Sequence, residues 1–265
     1  AIFGIPIGVS VDFIFLFVLF GALLETAGGG KYFLDLAFAM VGKMRGGPAK
    51  AAILGSGMTG LISGSSIANT VTTGTFTIPI MKKTGFSQEK AGAIEVSSSV
   101  NGQIMPPVMG AAAFVMAEFL ELPYTTIILA ALIPAAMHYI GVISFVHFEA
   151  KRLGLKGLPD NEIPKIWDVL KKGWPTAIPL AVLIYVLFSG YSPHMAAFWG
   201  ITSALAVGLV NPMNRITISD ISDGCVTGVK YALSVGAVCA AIGIVVGVVN
   251  TTGLGFRLGF MVTEA

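Results

Sequence analysis

The stretch from Lys50 to Lys82, KAAILGSGMTGLISGSSIANTVTTGTFTIPIMK, constrains the fold more than any other part of the chain. It is apolar enough for lipid, yet its centre, Ser63-Gly64-Ser65-Ser66-Ile67-Ala68-Asn69-Thr70, is small and rich in hydroxyls. Lys43, Arg45 and Lys50 stand on one flank, Lys82 and Lys83 on the other. Positive flanks mark the cytoplasmic side of a membrane segment, so basic residues at both ends argue against a single crossing. Each half holds about 15 residues, fewer than the roughly 20 a spanning helix needs. The pattern predicts a re-entrant helical hairpin with its polar tip near mid-membrane. Irregular backbone at that depth survives only where it is buried in protein or lines a cavity. The tip is therefore a candidate site.

The bilayer is the expected solvent for the whole chain. Of its 265 residues 55% are hydrophobic and 11% charged, against about 25% charged in soluble domains. The 33 glycines suit closely packed transmembrane helices. A net charge of +2 gives no reason to expect a nucleic-acid partner. Cys225 and Cys239 fall in one predicted helix, with no spacing for a metal or redox pair, and read as inert thiols. Walker, Gly-x-Ser-x-Gly and His-Glu-x-x-His patterns do not occur, so neither an ATPase nor a familiar hydrolase is expected. No signal peptide is recognisable. The chain opens at Ala1 directly before an apolar run, and both of its ends read as cut from something longer.

An all-α, polytopic membrane fold follows. Residues 1–49 hold a first transmembrane helix, roughly Ile7 to Leu24, and after Thr26-Ala27-Gly28-Gly29-Gly30 an amphipathic helix over 31–44 lying flat at the cytoplasmic interface. The hairpin occupies 50–82. Residues 83–150 hold a discontinuous helix over 87–121 and a return helix over 124–148. The break falls at Asn101-Gly102-Gln103-Ile104-Met105-Pro106-Pro107, where two prolines remove amide donors and disfavour helix just before them. A lysine-rich linker with one short amphipathic helix fills 151–173, and an up-and-down helix pair, 175–189 and 194–210, fills 174–212. The last unit, 213–265, contains a helix over 222–249. Glu25-Thr26-Ala27-Gly28-Gly29-Gly30 aligns with Asn250-Thr251-Thr252-Gly253-Leu254-Gly255, each following a transmembrane helix and preceding an amphipathic run. With the first copy leaving on the cytoplasmic side and the second outside, this reads as an inverted repeat of the kind secondary transporters use, and predicts a second hairpin beyond Ala265.

A hairpin tip beside a broken helix supplies the parts of a midplane ion site. Half-helix N-termini present amides to anions, and C-terminal carbonyls coordinate cations. The tip offers Ser63, Ser65, Ser66, Asn69 and Thr70; its second arm adds Thr72, Thr73, Thr75 and Thr77; the broken helix adds Ser97, Ser98, Ser99, Asn101 and Gln103. All are neutral oxygen donors, poor for soft metals and suited to sodium. Any one of these hydroxyls could instead be gluing helices together. Glu95 is the sharpest single charge, either a direct ion or proton group or a residue at the rim of a cytoplasmic vestibule. Asp12 caps or faces an outer vestibule, His138 makes a polar packing contact, and the Phe-rich 13–20 stretch faces lipid or the core.

Several long stretches resemble the large membrane subunit of tripartite ATP-independent periplasmic (TRAP) transporters, and in particular the TAXI type: FLFVLFGALLE, RGGPAKAA, SGSSIANTVTTGTFTIP, GQIMPPVMGAAAFVMAEFL and VHFEAKRLGLKGLP. The resemblance implies a sodium-driven symporter of small organic acids in a bacterial or archaeal cytoplasmic membrane. It implies two partners, an extracytoplasmic TAXI-type binding protein and a small membrane subunit, and an elevator motion of the hairpins against a scaffold. It places one sodium site on Ser65, Ser66 and Asn69 of the tip and Ser99, Asn101 and Gly102 of the break, several through backbone carbonyls. Thr72, Thr73 and Gln103 become substrate-facing groups. A sodium/dicarboxylate symporter that needs no binding protein, or else a channel or a structural membrane subunit, remains an alternative on the residues alone.

Overall fold

The computed structural model describes residues 3–211, 215–254, 257, 260 and 261, and every regular element among them is helical. Helix α1 runs Ile5–Thr26 with one π-helical turn at Ser10–Ile14. The others are α2 (Gly29–Val41), α3 (Gly47–Ser63), α4 (Ser66–Lys83), α5 (Gln88–Val100), α6 (Ala111–Leu120), α7 (Tyr124–Arg152), α8 (Ile166–Phe188), α9 (Pro193–Val210) and α10 (Ile218–Thr252). Five stretches among the described residues are long and apolar enough to cross a membrane: α1, α7, the 160–188 stretch that contains α8, α9 and α10. The chain is a multi-pass helical membrane protein. The helices α3 to α6, where the polar clusters lie, are not among those five.

The aromatic stretch of α1 supplies the core. Phe17 and Phe20 are fully buried against Phe114 of α6, Tyr124 of α7 and Leu183 and Leu187 of α8, while Phe15 stays exposed. The Phe114 and Tyr124 rings stack with centroids 4.2 Å apart. Beside this core α3 and α4 fold back on each other. Ala49, Ala52 and Ile53 of α3 share a buried cluster with Met81 of α4 and Tyr139 and Val146 of α7. The arm helix α2 lies between α3 and α8, with Leu34 against Gly55 and Tyr32 against Gly173.

Three boundaries differ from those read in the sequence. The tip is narrower than the polar run 63–70: only Gly64 and Ser65 separate the arms, so Asn69 and Thr70 lie within α4. Gly64, at φ +56°, makes the turn, and the Ser65 side chain caps α4 by accepting from the Ala68 amide. The second difference is that no separate short helix fills the linker. A 3-10 turn at Asp160–Glu162 leads into α8, which starts at Ile166 and continues through Pro175 and Pro179. In a membrane helix, neighbouring groups re-satisfy the backbone that proline frees, so proline need not end it. The third is α10, whose 35 residues start at a Thr217–Asp220 capping box rather than at Ser222. At 1.5 Å per residue it is roughly 50 Å long, more than the hydrocarbon core requires.

Of the aligned repeat, Gly28 and Gly253 both adopt left-handed backbone, at φ +89° and +66°, just beyond α1 and α10. Gly255, and most of the amphipathic run after it, lie outside the described residues. α1 and α10 themselves pack together through small residues, Gly224 against Thr26 and Gly228 against Leu19 and Ala22.

Candidate functional site

Three helices present polar stripes at helical spacing to one another: Ser56, Thr59 and Ser63 on α3; Asn69, Thr73 and Thr77 on α4; Glu95 and Ser99 on α5. They interlock. Asn69 Nδ2 donates to the Ser56 carbonyl (2.8 Å) and to Ser56 Oγ (2.9 Å), and Asn69 Oδ1 accepts from Thr59 Oγ1 (2.5 Å). Ser56 and Ser99 hydroxyls share a hydrogen bond of 3.0 Å. The Glu95 carboxylate accepts from Thr73, from Thr77 (2.5 Å) and from Ser99 (3.3 Å). Ser56, Glu95 and Ser99 have no exposed surface. Hydrogen bonds are the condition for burying polar groups at such depth.

The break is longer than 101–107. A 3-10 turn at Asn101–Gln103 is followed by irregular backbone up to Ala111, closed by Gly110 N–H donating to the Gln103 carbonyl at 2.7 Å. Freed carbonyls need partners, and α7 supplies many of them. His138 Nε2 donates to the Ser97 carbonyl (3.0 Å), Tyr139 to that of Ser98 (3.3 Å), and Tyr124 reaches those of Pro107 and Val108 (3.0 and 2.6 Å). The packing contact expected of His138 is thus a specific one.

Tip and break touch directly. Gln103 Nε2 donates to Ser66 Oγ at 2.9 Å. Gly60 and Gly102 meet backbone to backbone, so that a Cβ on Gly60 would lie 2.8 Å from Gly102 Cα. Gly64 abuts Met109 and Gly110. Four helix ends converge here: the C-termini of α3 and α5, with carbonyls free of intrahelical partners, and the N-termini of α4 and α6, with free amides. The first kind attracts a cation and the second an anion. Asn101 is 2% exposed; its Nδ2 donates to the Ala135 carbonyl (3.2 Å), while its Oδ1 is buried with no hydrogen-bond partner. A buried, unpartnered oxygen at the C-cap of α5 suits a small cation.

The sequence-named residues thus divide. Ser66 and Gln103 meet across tip and break, and Gly102 meets Gly60, whereas Ser65 caps α4, Ser99 bonds Ser56 and Glu95, and Asn101 turns its amide to Ala135 of α7. Asn69 lies beside the tip, with its side chain already engaged between the arms. Thr72 and Thr73 line a separate cavity of about 260 Å³ with Gly30, Lys31, Asp35 and Phe76, although the Thr73 hydroxyl turns towards Glu95. Burial pushes the Asp35 carboxyl up, with Lys31 opposing. A smaller cavity of about 20 Å³, room for about one water, lies between α1 and the hairpin, lined by Glu25, Thr59, Ser63, Asn69 and Thr72. Asp12 is exposed, in the π-helical turn. Glu95 lies inside the bundle rather than at a rim. Ser56 and Thr59 went unnamed in the sequence, although their spacing with Ser63 marks one face of an apolar helix. Among the described residues no group of three His, Cys, Asp or Glu could hold a metal.

Such a bundle, with a helical hairpin packed on a broken helix among five apolar spans, defines a polytopic helical membrane protein. The chain belongs to the family described as tripartite ATP-independent periplasmic transporter, DctM component, whose model matches residues 5–265. The named relatives in this family are transporter permeases. The chain is 25% identical over 68% of its length to the C4-dicarboxylate TRAP transporter large permease DctM of Pseudomonas aeruginosa, covering 42% of that protein. It is 25% identical over 73% of its length to the sialic acid TRAP large permease SiaM of Vibrio cholerae, covering 45% of it. An uncharacterised Sinorhizobium fredii protein, y4mL, is 25% identical over 86% of the chain and 55% of its own length. The chain thus spans about half the length of the relatives it matches.

Proposed function

We propose that this chain forms the first structural repeat of a TAXI-type TRAP large permease, and that the whole protein couples sodium entry to uptake of a small organic acid. The single observation that carries the reading is the packing of hairpin tip on break, with the Asn101 oxygen buried and unpartnered at the C-cap of α5. Sodium would be held there by Asn101 Oδ1, Ser65, Ser66 and Ser99, and by carbonyls near Gly102, with Asn69 fixing the tip against α3. The substrate carboxylate would meet the N-termini of α4 and α6, with Gln103 and Thr72 at its edge; Thr73 holds the arm in place. The relatives' names, C4-dicarboxylate and sialic acid among them, support an organic anion.

The hairpin is re-entrant in this reading, and its tip travels with the break as one elevator unit. Lys43, before the hairpin, pairs with Asp160 at 2.9 Å, and Lys83, after it, pairs with Glu162 at 3.3 Å. Both flanks therefore lie at one turn, which supports a shared cytoplasmic side. A binding protein would deliver substrate at the outer face, a small membrane subunit and lipid would brace the scaffold, and the setting would be a bacterial or archaeal cytoplasmic membrane. The test is uptake by the full-length permease with its small subunit in liposomes, with the binding protein present and an imposed sodium gradient. Unchanged uptake in sodium-free buffer would sink the coupling ion; uptake without any binding protein would favour the binding-protein-independent symporter.

A further inference from the structure

Glu95 sits at the end of a hydrogen-bonded chain that leads to the junction. It has no exposed surface. Oε1 accepts from Thr73 and Ser99, and Oε2 from Thr77, so three hydroxyl donors converge on one carboxyl group. Gly74, between the two threonines, leaves the space: a Cβ there would stand 3.2 Å from Glu95 Cγ. A buried carboxylate calls for a compensating positive charge. None of the ion pairs among the described residues includes Glu95. The charged and titratable groups of the neighbouring elements are engaged elsewhere, lie at helix ends or, like Lys31 and Asp35 of α2, line the cavity beside Thr72 and act on each other. Lys50 meets His147 (2.9 Å), Lys90 and Arg152 meet Glu149, and His138 and Tyr139 bond the Ser97 and Ser98 carbonyls. Lys82 and Lys83 lie at the end of α4, and Glu89 at the start of α5.

The oxygens at the junction have the complementary deficit. Ser65, Ser66, Ser99, Asn101 and the local carbonyls are all neutral, so a cation held by them would keep its full charge in a medium of low dielectric. Ser99 Oγ, in the last turn of α5 before the break, joins Glu95 to Ser56 of α3, and Ser56 carries the chain on to Asn69 beside the tip, through links of 3.3, 3.0 and 2.9 Å. We propose that Glu95 is the counter-charge of the cation held at the tip, a positioning carboxylate that acts through Ser99 and Ser56 without touching the ion. This rests on the sodium reading above. Charges interact over longer range in the interior than in water, and outer partners of ion ligands commonly set affinity within about 10–100-fold.

The test is the thermal unfolding midpoint of the purified full-length permease against sodium chloride, with choline chloride holding ionic strength constant and no substrate present. Wild type, Glu95→Gln and Glu95→Asp are compared. The counter-charge predicts that E95Q raises the half-saturating sodium about tenfold or more, while E95D, which keeps the charge, stays within about threefold of wild type. A half-saturation unchanged in folded E95Q leaves Glu95 a packing group and overturns the inference. If E95Q does not fold, E95D decides: unchanged sodium dependence supports the proposal, and a tenfold shift in a variant that retains the charge overturns it. Absence of any sodium response in wild type removes the sodium reading itself, so the two failures are distinct.

Discussion

Gly60 on α3 and Gly102 in the break form a close backbone-to-backbone contact between hairpin and broken helix. In Gly60→Ala the new methyl would stand 2.8 Å from Gly102 Cα and 3.7 Å from Asn69 Nδ2. The first distance is about 0.7–1.2 Å inside the optimal carbon–carbon separation of roughly 3.5–4.0 Å. The clashing atom, Gly102 Cα, is backbone rather than a flexible side-chain end, so the backbones must part, pulling on the Ser56–Ser99 and Asn69–Ser56 bonds. Overpacking of this kind costs about 1–3 kcal/mol, or roughly 2–12 °C in unfolding midpoint for a protein of this size. Gly92→Ala on α5 is the matched control: nothing lies within 4 Å of its Cβ, and replacing glycine by alanine in a helix favours folding by up to about 1 kcal/mol. Midpoints measured by intrinsic fluorescence on the full-length permease should fall for G60A and hold or rise for G92A. Equal midpoints for G60A and wild type, or a larger loss in G92A, would refute the close-contact argument.

Asn69→Ala removes the amide that ties α4 to Ser56 and Thr59, while the Thr59 hydroxyl keeps the Gly55 and Ser56 carbonyls and Ser56 Oγ keeps Ser99. It should cost about 0.5–1.5 kcal/mol for each hydrogen bond lost, read as earlier unfolding and faster proteolysis of the hairpin. Gln103→Ala removes the donor to Ser66 at the exposed edge of the junction; transport assays should show a raised half-saturating substrate with the sodium half-saturation unchanged, and a shift in both would place Gln103 elsewhere. Single cysteines at Lys43 and Lys83 should label with an impermeant maleimide from the same face of oriented vesicles. Labelling from opposite faces would end the re-entrant reading.

Hydrophobic runs are long-lived signals in a sequence, and α1, α7, α9 and α10 were legible from them to within a few residues. The break at Asn101 was legible because Pro106-Pro107 withholds donors. Its true extent was not, because the carbonyls of Pro107 and Val108 are satisfied by Tyr124, a residue on another helix. The fusion of the expected short linker helix into α8 was hidden for the same reason: proline argues locally for a boundary, and tertiary contacts overrule it. At the candidate site the hydroxyl-rich residues were visible as composition. Their division of labour was not, since Asn69, Thr73 and Thr77 lie on one face of a helix and take their roles from Ser56, Thr59 and Glu95 opposite. A periodicity reading of the polar residues in apolar helices, applied to 56, 59 and 63, would have recovered the missing partners.

The turn at Asp160–Glu162 touches both ends of the hairpin, through Lys43 and Lys83. Exposed ion pairs of this kind contribute about 0–1 kcal/mol each and weaken with salt. They register position without fixing it. Wired this way, the two ends of the hairpin communicate by a route of three residues that runs in parallel with the path through its tip. A shift at one flank can thus reach the other without passing through the binding junction, and the strength of that shortcut is set by the ionic strength of the solution that bathes it.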